Sequence, residues 1–243
     1  MKIVADATFA IGKAIVARFV MNTLRENTYI IYNRDEIIYN DNDLLSTQEH
    51  LTHINNNLCA RPRHKGILID CGARRPQEKE RMLAYINLHG IALTHHLLTH
   101  GHFDHLWGAQ WAADTFGPTP ILPRLDLHNY LGAEQLMQKT LHRNEPLPLP
   151  ANPRLIEDGQ EVETAGLSLR FILVAGHTRG SAALYDADNG ILFTGDTLFR
   201  DYDTIAADAG LTVEDARASA RSRLLTLPKG TLCLPGHGPE FYL

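Results

Sequence analysis

Four times along this chain an apolar run ends in a glycine-bearing turn that carries histidine or aspartate, and that recurrence constrains the fold more than any single motif. Leu97-Leu98 leads into Thr99-His100-Gly101-His102-Phe103-Asp104-His105, four potential metal ligands within six residues. Leu169 to Val174 leads to Gly176-His177-Thr178, and Leu192-Phe193 to Thr194-Gly195-Asp196-Thr197. Leu232-Cys233-Leu234 leads to Pro235-Gly236-His237-Gly238-Pro239. Ends of neighbouring strands meet along one edge of a sheet, where the sites of α/β proteins gather. His100, His102, Asp104, His105, His177, Asp196 and His237 are therefore candidates for one shared site.

The residue types point to metal chemistry. Neutral imidazole is a common transition-metal ligand, and a neighbouring carboxylate supplies the negative charge that attracts a divalent ion. Residues two apart in an extended segment project to the same side, so His100 and His102 can grip one ion together. Asp104 and His105 then point elsewhere, and one segment can serve two adjacent ions. Gly101 is expected to give the backbone a tight path between them, and Leu106, Trp107 and Trp111 read as the apolar side of a short helix.

Apolar runs bounded by turn residues predict strands at Ala14 to Met21, Thr28 to Tyr32, Gly66 to Ile69, Leu97 to Thr99, Thr119 to Leu122, Leu167 to Val174, Ala182 to Tyr185, Ile191 to Thr194 and Thr231 to Leu234. Helical spacing predicts helices over Pro76 to Leu88 and Asp126 to Leu141. A third follows a Thr212 cap through Leu225, with Glu214 in its first turn. The pattern alone is a strand-rich α/β domain. Neither a glycine-rich linker nor an internal repeat divides the 243 residues, so one domain spanning 1–243 is expected.

In these motifs the chain resembles the metallo-β-lactamase superfamily, and within it the glyoxalase II-like (hydroxyacylglutathione hydrolase-like) hydrolases. Glu26-Asn27-Thr28-Tyr29, Ile69-Asp70-Cys71-Gly72 and Thr194 to Phe199 add to the likeness. The resemblance implies an αββα sandwich with the site at one edge of two packed sheets. It implies that His100, His102 and His177 bind one metal, that Asp104, His105 and His237 bind a second, and that Asp196 bridges them. Asp70 falls where the family often has a carboxylate that orients ligands, although a strand-end Asp that caps a turn explains it equally well. Two departures stand out. The stretch from about 33 to 66 is longer than the hairpin expected there and reads as an inserted polar loop. After Phe199, where relatives carry a glycine-rich run with an arginine, Arg200-Asp201-Tyr202-Asp203 stands instead. The region past His237 is six residues long, too short for the C-terminal helical region with which glyoxalase II binds glutathione.

The implied chemistry is hydrolysis. Two divalent ions, two aspartates and one bridging hydroxide leave a net charge of roughly +1, which attracts electron-rich carbonyls and anions. Metal binding lowers the pKa of water from about 15.7 towards about 7, so hydroxide is available at neutral pH to attack a carbonyl carbon, with Asp104 and Asp196 holding nucleophile and ions. A thiol of pKa about 8.5 leaves readily as thiolate, which favours a hydroxyacylglutathione-type thioester as the small-molecule substrate. A lactone or other ester, or a persulfide oxidised at a single iron, are the alternatives. Zinc is the first expectation for the metals, with iron or manganese also suited to these ligands.

Composition closes other routes. The 28 acidic against 23 basic residues give a charge of −5, and no basic run would track a phosphate backbone, so nucleic acid is not an expected partner. Asp6, Lys13 and Arg18 interrupt the N-terminal apolar stretches, so neither secretion signal nor membrane span is expected and the compartment is read as cytoplasmic. Cys59, Cys71 and Cys233 make an odd count without C-x-x-C spacing, which fits a reducing compartment. Oligomeric state is not fixed, and a homo-oligomer stays open. His95 and His96 read as structural. Arg179, Arg200 and Tyr202 lie beside ligand turns but read first as solvated surface.

Overall fold

Every long apolar run predicted to be a strand forms one, and the strands assemble into two sheets packed face to face. The computed structural model describes residues 5–38, 63–164, 166–208 and 210–243. The first sheet runs β1 (Ala7–Ile11), β2 (Ala14–Met21), β3 (Glu26–Ile38), β4 (Arg63–Ile69), β5 (Ile91–Leu97), β6 (Pro120–Pro123) and β7 (Arg154–Ile156), in that spatial order. Its first four strands are antiparallel and its last four parallel. The second sheet holds β8 (Glu161–Thr164), β9 (Leu167–Leu173), β10 (Ala182–Asp186), β11 (Ile191–Gly195), β12 (Leu232–Pro235) and β13 (Phe241–Tyr242). Within it, β11 and β12 run parallel with Phe193 opposite Leu234.

Alternation of side chains explains the layering. Ile67, Ile69, Leu97, Phe171, Leu184, Phe193 and Leu234 point between the sheets and form the central core. Neighbouring residues of the same strands face outward, where helices cover them. Met82, Tyr85 and Ile86 of α1 (Pro76–Leu88) and Ala112 of α2 (Ala109–Phe116) pack on Phe19, Ile30 and Leu68. Tyr130, Ala133 and Met137 of α3 (Leu127–Leu141) cover Leu98, Phe103 and Trp107. On the opposite side Ala220 of α4 (Val213–Arg223), with Leu224 just beyond it, covers Ile172, Ala183 and Leu192. The order is helix, sheet, sheet, helix, the αββα sandwich. No helix among the described residues is long and apolar enough to cross a membrane.

Several boundaries differ from the sequence expectation for physical reasons. The stretch expected as a loop between 33 and 66 begins and ends in strand: β3 extends to Ile38, β4 starts at Arg63, and Ile37 pairs with His64 across a bulge. Residues 39–62 of that expected insertion lie outside the described residues. β5 runs from Ile91 rather than Leu97, because Thr94, His95 and His96 break the apolar run without breaking the ladder. His95 and His96 are therefore within the strand, and Thr99 is already past its end. The strands β1, β7, β8 and β13 were not expected. The last three span four residues or fewer, too few for a period to show.

Candidate metal centre

The four ligand-bearing turns follow the C-terminal ends of β5, β9, β11 and β12, and the fold brings all seven candidates to one edge of the sandwich. After β5 the chain carries His100 and His102 in an extended loop, then turns through a 3-10 segment, Phe103–His105, that swings Asp104 and His105 aside. After β11 a register shift at Gly195, whose φ of +50° favours glycine, redirects the chain so that Asp196 enters the site.

Two trios result. His100, His102 and His177 form one, Asp104, His105 and His237 the other, and within each the ligand atoms lie within 4.8 Å of one another. His177 Nε2 is 2.9 Å from His102 Nδ1, and His237 Nε2 is 3.2 Å from Asp104 Oδ2. Asp196 stands between the trios. Its Oδ2 lies 3.5 Å from both His177 Nε2 and His237 Nε2, and its Oδ1 lies 3.5 Å from His105 Nε2.

Hydrogen bonds outside the trios fix four of the five rings through Nδ1, leaving Nε2 aimed inward. His105 Nδ1 donates to Asp70 Oδ2 at 2.9 Å, and His100 Nδ1 faces Thr99 Oγ1 at 3.0 Å, whose hydroxyl donates to the same Asp70 oxygen at 2.8 Å. The Thr99 backbone N–H donates to the other Asp70 oxygen at 2.8 Å. Asp70 thus orients ligands from both trios, in the manner typical of carboxylates behind metal-binding histidines. His177 Nδ1 donates to the Ile205 carbonyl at 3.2 Å and His237 Nδ1 to that of Leu24 at 3.0 Å.

The Glu26-Asn27-Thr28-Tyr29 segment has a structural task that its sequence did not disclose. Asn27 Nδ2 donates to the carbonyls of Pro235 and Gly238 at 2.8 and 2.9 Å, and the Tyr29 hydroxyl donates to Pro235 at 2.7 Å, which moors the turn bearing His237. Thr28 Oγ1 accepts from the Gly72 N–H and donates to the buried Glu26 carboxyl, bracing the turn after Asp70.

Electrostatics divides the site. Burial, reinforced by neighbouring imidazoles, holds His100 well below the usual histidine range, and burial beside His177 brings His102 down to about 4. For His105 burial opposes the charged form, but Asp196, Asp70 and Asp104 outweigh it and raise the pKa. Burial likewise opposes ionisation of Asp104 and Asp196, and His105 overrides it, keeping both carboxyls below the ordinary range. The neutral rings of His100 and His102 and the anionic oxygens of Asp104 and Asp196 converge as a donor set for cations, and a bound cation would displace the proton from His105.

The residues fit metal ions by two further observations. His100 Nε2, His105 Nε2 and Asp196 Oδ1 are buried without a hydrogen-bond partner among the described residues, an arrangement that costs free energy in a protein unless a ligand completes it. Gly236 leaves open the space beside them: a Cβ there would lie 2.2 Å from Asp196 Oδ1 and 2.7 Å from the His105 ring.

A cleft of about 730 Å³ opens from the ligands along α3, lined by His102, Asp104, His177 and Asp196 at one end and by Gln135, Leu136 and Lys139 further along. Arg179, Arg200 and Tyr202 are not part of its lining. Arg200 instead donates to the Glu240 carbonyl at 2.8 Å, and Tyr202 packs edge-on against Phe241, so the segment after Phe199 is tied to the C-terminal strand.

The profile of the metallo-beta-lactamase superfamily matches residues 59–237 of this chain. The chain belongs to that superfamily. An uncharacterized protein of Mycobacterium tuberculosis is 35% identical over 194 residues, covering 74% of this chain and 84% of the relative. A hydroxyacylglutathione hydrolase of Aeromonas hydrophila is 30% identical over 176 residues, covering 70% of this chain and 56% of that enzyme. Among solved structures, TTHA1623 in a di-iron-bound form is similar at 28% identity with a TM-score of 0.67, covering 93% of each chain. Membership of this superfamily supports a metal-dependent hydrolase, and the grouped His and Asp side chains could hold metal ions.

Proposed function

We propose that the chain is a binuclear metal-dependent hydrolase that cleaves thioesters of the hydroxyacylglutathione type. In this reading His100, His102 and His177 hold one divalent ion, Asp104, His105 and His237 hold the other, and Asp196 contacts both. The observation that carries it is Asp196, whose two oxygens face one histidine of the first trio and two of the second. Bound divalent ions supply Lewis-acid activation of water and of a carbonyl oxygen.

The chain's own residues do the rest. Asp70 and Thr99 hold the His100 and His105 rings so that Nε2 faces the site, and Asp196 and Asp104 keep there the negative charge that would hold a cation. The cleft along α3 admits a substrate that extends away from the reacting carbonyl. Among the described residues its one carboxylate outside the candidate ligand set, Asp208, accepts from the Arg179 N–H at 3.0 Å and from Asn129 at 3.3 Å, so it is engaged as an acceptor. A leaving group that needs no carboxylic acid to protonate it suits such a cleft, and a thiol of pKa about 8.5 is one. The hydroxyacylglutathione hydrolase relative supports the same substrate class. The donor atoms suit zinc, iron and manganese, and the di-iron form of the similar structure adds weight to iron.

Parallel rates on S-D-lactoylglutathione, a lactone and a phosphodiester, measured with metal-replete protein, test the substrate class. The thioester is expected to turn over fastest. Efficient lactone or phosphodiester hydrolysis with the thioester untouched would overturn it.

A further inference from the structure

Of the five site histidines, His102 alone has no hydrogen bond from outside the trios to hold its ring among the described residues; its ring nitrogen instead approaches His177, inside its own trio, at 2.9 Å. Its place is therefore set by its backbone, and that backbone is held at Gly101. The Gly101 N–H donates a short hydrogen bond to Asp126 Oδ2. Asp126 is fully buried at the start of α3, and its other oxygen accepts from the Gly180 N–H at 3.3 Å and from Asn129 Nδ2 at 2.9 Å. Every partner is a donor, which is what an ionised carboxylate accepts.

The two loops meet on the first turn of α3 with no room to spare. A Cβ at Gly101 would lie 2.4 Å from the Tyr130 nitrogen, and one at Gly180 would lie 2.3 Å from the Asp126 nitrogen. Gly101 thus gives the backbone its tight path by close approach to the first turn of α3. The network continues past Asp126. Asn129 also reaches Asp208 Oδ2 at 3.3 Å, and the N–H groups of Ala207 and Asp208 donate to the His177 carbonyl at 2.9 and 3.1 Å. By contrast, the ring of His105 depends on Asp70 and that of His237 on Leu24, neither of which touches Asp126.

We infer that Asp126 is the positioning residue that sets the spacing of the His102 and His177 loops, and so tunes the His100, His102 and His177 trio while leaving the other trio alone. This rests on the metal-binding reading above. Asp126→Asn replaces one acceptor oxygen by an N–H group that must face another N–H, which weakens the hold on one loop.

The test measures zinc affinity by competition with a chromophoric chelator in single-trio proteins. His237→Ala retains the His100, His102 and His177 trio, and His102→Ala retains the Asp104, His105 and His237 trio. Adding Asp126→Asn is expected to weaken zinc binding about 10- to 100-fold in the His237→Ala protein, the usual effect of losing a residue that orients ligands, and to leave the His102→Ala protein unchanged. Asn129→Ala, which removes one donor to Asp126 and is the milder variant should Asp126→Asn fail to fold, is expected to act on the same trio with a smaller loss. Equal weakening in both backgrounds, or none in either, would overturn the role of Asp126 while leaving two-ion binding by the unmodified protein intact. An unmodified protein that takes up no zinc, iron or manganese would instead overturn the metal reading itself, and this inference with it.

Discussion

Replacing Asn27 by aspartate, which keeps the shape and reverses the polarity, is predicted to destabilise the protein far more than replacing it by alanine. Asn27 is 1% exposed, and its amide nitrogen donates to two carbonyls of the turn that carries His237. Alanine removes two neutral hydrogen bonds worth about 1 kcal/mol each, so a loss of about 2 kcal/mol is expected. Aspartate sets carboxylate oxygens against the Pro235 and Gly238 carbonyls in a buried place. An unpaired carboxylate there costs several kcal/mol unless it takes up a proton, so the loss at pH 7 should reach about 4 kcal/mol or more. The folded-state pKa of that carboxyl would be raised, so the penalty is full above it and shrinks as pH falls towards the unfolded value of about 3.9. Urea unfolding in the presence of a chelator, with all variants sharing one slope, measures both numbers free of metal effects. An Asn27→Asp protein as stable as Asn27→Ala at pH 7 would refute the reasoning that the amide acts as a double donor mooring the His237 turn.

Other consequences follow from the same geometry. Gly236→Ala puts a methyl group 2.2 Å from Asp196 Oδ1, and is expected to lower metal content and activity while far-UV circular dichroism stays native; full metal content would contradict it. Asp104→Ala is expected to reduce bound metal from two ions to one and to slow turnover, with the unfolding midpoint of the metal-free protein nearly unchanged. Chelation should lower the melting temperature, since an ion at 100 times its Kd adds about 2.7 kcal/mol, and a midpoint indifferent to metal would argue against binding in the folded state. Burial lowers His96 to about 3, so the folded protein keeps it neutral while the unfolded chain protonates below about 6.5. Stability should then fall as pH drops from about 6.5 towards 3, by up to about 1.4 kcal/mol per unit, and His96→Leu should flatten that slope.

The grouping of the candidate ligands was legible because metal chemistry concentrates telling residue types in short turns after apolar strands, as in His100 to His105 and at Asp196. The bounds of α1 were legible too, since Pro76 opens the helix and its apolar spacing ends at Leu88. What holds the ligands was not. Thr99, Asn27 and Asp126 act on residues 29 to 211 positions away in some contacts, and no local pattern reports such a pairing. Asp126 read only as the start of a helix, and the one signal available was a single acid before a helix whose later turns are apolar on one side. Arg200 and Tyr202 stand beside a ligand turn in sequence, yet the left-handed backbone at Asp201 and Tyr202 turns the segment towards Glu240 and Phe241.

Thiol release from S-D-lactoylglutathione, followed in one preparation alongside its metal content before chelation, after chelation and after reconstitution, tests the central claim most directly. The account predicts two ions per chain in the active samples, loss of turnover with loss of metal, and recovery of both together. A protein that carries two ions and releases no thiol, or one that releases thiol equally well without metal, would contradict it.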